Sequence, residues 1–204
     1  MVRMNRIQPS SQRIKAQRRL PPVIAALAVV YALPGVTGLR TLGSAPSEYE
    51  VKAAYLYNFG RFVEWPAKAP SIRVESFELC VLGKDPFGPA LYRTIAGETI
   101  GGKYVVARSV ASPEDAGDCR EVFISSSEAS QLGEILPALN EARVLTVSDM
   151  PAFTERGGMI QFVSENNRVR FQVNLSATQR AGLTLSSELL KVATKVIGTN
   201  TSEK

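Results

Sequence analysis

Tyr49 to Pro66 reads YEVKAAYLYNFGRFVEWP, and the spacing of its apolar residues decides how the rest of the chain must fold. Val51, Tyr55, Phe59, Phe62 and Val63 recur at steps of three and four, the repeat of one helix face. Ala53, Ala54, Leu56 and Tyr57 widen that face to most of the circumference. Lys52, Arg61 and Glu64 leave only a narrow wettable strip. A helix this apolar must be covered, so the strands downstream have to supply the surface it buries against. Pro66 stops it, because the ring removes a ladder N–H and restricts the residue before it.

Upstream, residues 1–45 hold Arg3, Arg6, Arg13, Lys15, Arg18, Arg19 and Arg40, no acid, and the apolar run Val23 to Leu33. This is the pattern of an export leader, with the small residues Gly43 and Ala45 around Ser44 placing cleavage after Ala45. The long basic region fits either initiation at Met4 or a poor twin-arginine signal at Arg18-Arg19. The alternative is an uncleaved anchor, but an apolar run that ends at Pro34-Gly35 falls short of the roughly 20 residues a spanning helix needs. The expected organisation is a signal peptide at 1–45, one domain at 46–198 and a polar tail at 199–204.

Export changes the electrostatics. Seven of the 24 basic residues lie before position 46, which leaves 17 against 19 acids and turns a formal +5 into −2. The remaining chain has no basic cluster interleaved with aromatics, so a nucleic-acid partner is not expected. Two cysteines, Cys80 and Cys119, enter an oxidising compartment on this reading and are expected to pair; two free buried thiols are the alternative. Closing a loop of that size is worth roughly 4 kcal/mol by chain entropy. No histidine occurs anywhere, and two thiolates are too few for zinc, so no metal is expected.

Phe77 to Leu82, Lys103 to Arg108, Glu121 to Ile124 and Val144 to Val147 read as short strands. Between them, a helix is expected from Pro86 to Ile95 with proline in its first turn. Another follows the capping-box pair Ser125 and Glu128 and runs to about Asn140. Met159 to Val163 and Arg168 to Asn174 flank a four-residue turn, and in the second run Val169, Phe171 and Val173 alternate with Arg168, Arg170, Gln172 and Asn174. That alternation marks a half-buried antiparallel strand. Leu189, Val192, Ala193 and Val196 predict a closing helix ending at Gly198. The fold class is therefore α/β: a mostly parallel mixed sheet covered by helices on both faces, with a C-terminal β-hairpin and a closing helix.

The lack of histidine removes the commonest general base and the usual activator of serine or cysteine nucleophiles. No nucleophile elbow or phosphate-binding loop occurs, so neither an enzyme nor a cofactor is expected. Parallel strands send their C-terminal ends to one rim, and ligands favour the crevice there. Lys84, Asp85, Ser125, Ser126, Ser148 and Asp149, beside Gly83, are the ligand-binding candidates on that rim; their plainer reading is turn and cap residues. Arg168, Arg170 and Gln172 form an outward row that either guards an exposed strand against edge pairing or meets an acidic partner. Trp65 reads as a packing residue.

Taken together, several blocks resemble the YfiR family of periplasmic regulators. They are residues 49 to 66, CVLGKDPFGPAL at 80 to 91, CREVFISSSE at 119 to 128, VLTVSD at 144 to 149, GGMIQFV at 157 to 163 and RVRFQVNLSATQRAGLTLSSELLKVA at 168 to 193. The resemblance implies an exported, non-enzymatic repressor that binds the periplasmic sensor part of an inner-membrane diguanylate cyclase and lowers cyclic-di-GMP and biofilm formation. It also implies dimers and an outer-membrane-tethered partner that sequesters the repressor. Cys80 and Cys119 match the positions of a disulfide typical of the family. Some members carry a second cysteine pair proposed to sense redox state; no cysteine follows Cys119 here, so that role does not carry over. A second class of function stays open beside it: a periplasmic small-ligand receptor feeding a sensor kinase or transporter, which requires a pocket on the rim.

Overall fold

The computed structural model describes residues 45–66 and 76–198. The expected leader and polar tail lie outside the described residues. In chain order the elements are α1 (Glu48–Phe62), β1 (Val63–Glu64), β2 (Ser76–Leu82), α2 (Pro89–Ile95), β3 (Thr99–Ile100) and β4 (Lys103–Val110). Then come β5 (Glu121–Ile124), α3 (Leu132–Glu141), β6 (Leu145–Ser148), β7 (Ile160–Glu165), β8 (Arg168–Asn174), α4 (Leu175–Arg180), β9 (Thr184–Leu185), α5 (Ser187–Val192) and β10 (Lys195–Ile197).

One eight-stranded sheet runs in the order β10-β8-β7-β6-β5-β2-β4-β3. Its centre is parallel, and β8 turns back antiparallel to β7 to form the expected hairpin. The central strands β5 and β6 are buried along their whole length, as strands covered on both faces must be. Successive side chains go to opposite faces. Phe77, Leu79 and Phe123 join the core beneath α1 and α2, while Cys80, Leu82, Val122 and Ile124 join a second core beneath α3.

Ser47 opens α1 with a capping box: its Oγ accepts from the Glu50 N–H at 3.3 Å, and Glu50 Oε2 accepts from the Ser47 N–H at 2.8 Å. The helix ends at Phe62, earlier than its spacing predicts. There the Phe62 carbonyl accepts from the Ser186 N–H at 2.9 Å, and Val63 and Glu64 pair with Leu185 and Thr184 in a small second sheet.

Three other boundaries move, each for a local reason. Asp85 Oδ1 accepts from the Phe87 N–H at 2.7 Å, which makes a turn of Asp85 to Phe87 and delays α2 to Pro89. Ser125 caps a single 3-10 turn, Ser126–Glu128, rather than α3 itself. The closing helix stops at Val192, because Ala193 is extended and the Thr194 N–H and hydroxyl both donate to the Phe171 carbonyl. Val196, expected on the helix, therefore lies in β10 and pairs with Val173, while Val192 is 60% exposed instead of buried. The chain also forms α4, which the periodicity missed; Asn174 caps it, its Oδ1 accepting from the Ala177 N–H at 3.0 Å.

Gly60 sits where α1 presses closest to the sheet. A Cβ there would lie 2.7 Å from Ile100 Cδ1 and 2.8 Å from Phe77 Cζ. Gly60→Ala gains helix propensity but overpacks this contact, so a net loss of about 1–3 kcal/mol is expected in urea unfolding. A stabilised Gly60→Ala variant would show that α1 has room to move.

Glu121 is the anomaly of the core. It is fully buried, and neither carboxyl oxygen has a hydrogen-bond partner among the described residues. Burial pushes its pKa well above 4.5, so the folded chain keeps a proton that the unfolded chain releases. Stability is then highest below the unfolded pKa and falls as pH rises from about 4.5 towards the folded pKa. Glu121→Gln is expected to flatten that slope in unfolding curves taken across pH. Parallel pH profiles for the two proteins would count against a buried, protonated acid.

Candidate functional site

The rim at the C-terminal ends of β2, β5 and β6 brings the expected polar residues near one another, and the fold engages the side chains of four of the six. Ser148 Oγ donates to the Ile124 carbonyl at 2.7 Å and accepts from the Met150 N–H at 3.1 Å. Ser125 Oγ accepts from the Ser127 N–H, and Ser127 Oγ accepts from the Lys84 N–H at 3.0 Å. Asp85 closes its own turn, while Lys84 and Ser126 are exposed.

Asp149 has a stronger partner. Lys52 Nζ lies 2.7 Å from Asp149 Oδ2 and 2.7 Å from Glu48 Oε1, and Tyr49 donates its hydroxyl to Asp149 at 3.0 Å. The ammonium also sits 4.4 Å from the centre of the Tyr49 ring. Lys52 is only 4% exposed, so the residue read as part of a wettable strip is the buried ion that ties α1 to the sheet. Burial alone would lower the Lys52 pKa, but the hydrogen bonds it donates to Asp149 and Glu48 outweigh it and hold the ammonium above its ordinary value. Burial and the Asp149 carboxylate likewise raise the Tyr49 hydroxyl. The Glu48–Lys52 spacing of four was the one signal in the sequence; Asp149 lies 97 residues away and gave none. Tyr49 meets Phe87 edge-on at 5.4 Å, and Phe87 meets Phe123 at 4.7 Å, so aromatic rings stand beside the polar rim.

A cleft of about 240 Å³ opens beside this rim, at the ends of β2 and β4 next to Glu128, and two others open along α1. One, of about 420 Å³, lies between the first half of α1 and the β7–β8 hairpin, and Arg168 and Arg170 help line it. A second, of about 250 Å³, lies between α1, β8 and α5, with Phe62 and Val192 on its border. Of the outward row, Gln172 lies opposite Lys195 of β10, so this part of β8 is no edge and needs no guarding. Trp65 packs edge-on to Phe77 and donates its indole N–H to the Arg120 carbonyl at 3.2 Å, as a packing residue should. Cys80 and Cys119 form a disulfide whose two residues are completely buried, which suits a staple better than a sensor that reductants must reach. No helix among the described residues is long and apolar enough to cross a membrane.

The architecture is that of an α/β fold with a mostly parallel sheet covered on both faces and clefts along one long helix. The chain belongs to the YfiR/HmsC-like family, which it matches over residues 49–194. The YfiR-like family is one of periplasmic regulators in cyclic-di-GMP signalling. Two solved structures share the fold. A conserved domain protein of Vibrio cholerae O1 biovar El Tor strain N16961 is 14% identical with a TM-score of 0.50, over 75% of this chain and 61% of that one. An ABC domain from Streptococcus pneumonia in complex with L-Trp is 13% identical, also with a TM-score of 0.50, over 71% of this chain and 60% of that one. The chain thus spans about three fifths of each, and at these identities the likeness concerns the fold alone.

Breaking the buried ion pair should be costly, because the ammonium cannot easily reach water. Asp149→Ala is expected to lose roughly 3 kcal/mol in urea unfolding, and Asp149→Asn, which keeps the Tyr49 bond, distinctly less. An unchanged midpoint for Asp149→Ala would show that Lys52 is not held by this carboxylate.

Proposed function

We propose that this chain is a periplasmic repressor that binds the periplasmic sensor part of an inner-membrane diguanylate cyclase, lowering cyclic-di-GMP and biofilm formation. The observation that carries this reading is the family match across 49–194, which takes in nearly every described element. An outer-membrane-tethered partner that sequesters the protein would relieve the repression. The geometry supports protein recognition over a small-ligand receptor, since Asp149, Ser125 and Ser148 on the rim already have partners within the fold.

The outer flank of β4 offers a surface suited to such a partner. β3 pairs only with Lys103 and Tyr104, so Val106 to Val110 has no strand on its outer side among the described residues. Tyr104 is 69% and Val106 45% exposed beside this open edge. A tyrosine next to unpaired backbone suits strand addition with an aromatic anchor. Deleting the gene is expected to raise cellular cyclic-di-GMP, and the exported chain should capture the cyclase's periplasmic domain. Tyr104→Glu with Val106→Glu should weaken that capture by about thirtyfold or more without moving the unfolding midpoint. Unaltered cyclic-di-GMP together with no cyclase captured would end this reading.

A further inference from the structure

A cleft of about 340 Å³ opens where β2 and β5 begin, at the opposite end of those strands from the polar rim. Arg61 near the end of α1, Lys103 at the start of β4 and Arg120 just before β5 line it, so three cations arrive from three separate elements. No acid stands among the described residues that line it, although acids outnumber bases in the chain from position 46 onward. Trp65, Phe77 and Ile100 give the cleft an apolar wall. Ligands of parallel sheets favour the C-terminal strand ends, and the sequence pattern offered no reason to look at the other end.

The fold holds these groups in place from within. The Arg120 N–H donates to the Glu78 carbonyl at 2.9 Å, and the Arg120 carbonyl accepts from the Leu145 N–H at 3.0 Å and from the Trp65 indole N–H at 3.2 Å. Cys119, the residue before it, is fixed by the disulfide to Cys80. Gly101 and Gly102 have φ of 58° and 78° and form the two-residue turn that sets Lys103 opposite Ile100. The Arg61 guanidinium lies 5.7 Å from the centre of the Tyr57 ring, one turn back along α1. Neither Arg61 nor Arg120 is in an ion pair among the described residues. Arg120 is half-buried, and that burial pushes its guanidinium below its ordinary pKa with nothing to offset it. An anion in the cleft would supply the countercharge.

We propose that this cleft binds a small organic phosphate, its phosphate held between Arg61, Lys103 and Arg120 and its apolar body set against Trp65. Guanidinium groups meet phosphate oxygens through paired N–H donors, and an ammonium adds a compact point charge. The volume lies near the lower end of small-molecule sites, roughly 300–1,000 Å³, which suits a one-ring monoester better than a polymer.

Trp65 is the only tryptophan in the chain, so its fluorescence reports on this cleft alone. The test titrates the exported chain, disulfide intact, with phenyl phosphate in low-salt buffer near neutral pH, reading Trp65 emission and the heat of binding. Inorganic phosphate, benzoate and benzyl alcohol are titrated in parallel. Phenyl phosphate is expected to saturate the protein and to bind about tenfold or more tightly than each of the other three, with an affinity that falls as salt is added. Arg61→Gln, Lys103→Gln and Arg120→Gln should each weaken it by about tenfold or more, whereas Lys84→Gln, an exposed cation on the opposite rim, should leave it unchanged. Arg61 and Lys103 are exposed, so their variants are expected to keep the native circular dichroism and urea midpoint, which separates lost binding from lost folding. An absence of saturable phenyl phosphate binding at millimolar concentration overturns the proposal. So does inorganic phosphate or benzyl alcohol binding as tightly, or full affinity in Arg61→Gln and Lys103→Gln.

Discussion

The contact on which the structure depends is the seating of α1 on the sheet. Phe59 stacks on Phe162 at 5.7 Å and meets Phe171 edge-on at 5.0 Å, and Tyr55 adds a second edge contact to Phe171 at 5.6 Å. Leu56 and Phe59 are completely buried, each worth roughly 1.5–3 kcal/mol of burial. These rings join α1 to the β7–β8 hairpin, while Gly60 lets the same helix settle onto Phe77 in β2. One helix therefore spans the parallel half of the sheet and its antiparallel end, and its position fixes which parts of both remain free to meet other molecules.

The same seating shapes what the protein can do. α1 carries Tyr49 and Lys52 to the rim, where they take up the Asp149 carboxylate. Doubly wound folds usually keep such a rim for a ligand, because strand ends and helix starts leave polar groups there unsatisfied. Here Asp85, Ser125, Ser148 and Asp149 find partners within the fold, while Lys84 and Ser126 face solvent. The surfaces left over are the open flank of β4 and the groove along the outer side of α1, both of which combine apolar side chains with groups able to fix direction. Such surfaces suit a protein that acts by contact.

Two buried features bear on stability more than on recognition. The disulfide joins β2 to the segment just before β5, in the second core beneath α3, across a sequence separation of 39 residues. Glu121 begins β5 on the opposite face of that strand from Val122 and brings an unpaired acid into the middle of the sheet. An apolar residue would fit the position more cheaply, and the structure shows no contact that repays the acid's burial.

Hydrophobic period, turn chemistry and cysteine count settled the class of fold from the sequence alone. The run Tyr49 to Val63 forms a helix seated on the sheet, the four short apolar runs form strands of which β4 is largely exposed, and strict alternation from Arg168 to Asn174 forms a strand with one face inward. Those are local constraints, written into neighbouring residues. The end of α1 at Phe62, the conversion of Val196 from helix to strand and the burial of Lys52 were settled by partners far along the chain. Ser186 takes the Phe62 carbonyl, Phe171 draws Thr194 to the sheet edge, and Asp149 draws Lys52 inward. Local periodicity carries no record of contacts made tens of residues or more along the chain, so the pairing of Lys52 with Asp149, 97 residues away, belonged to the tertiary structure.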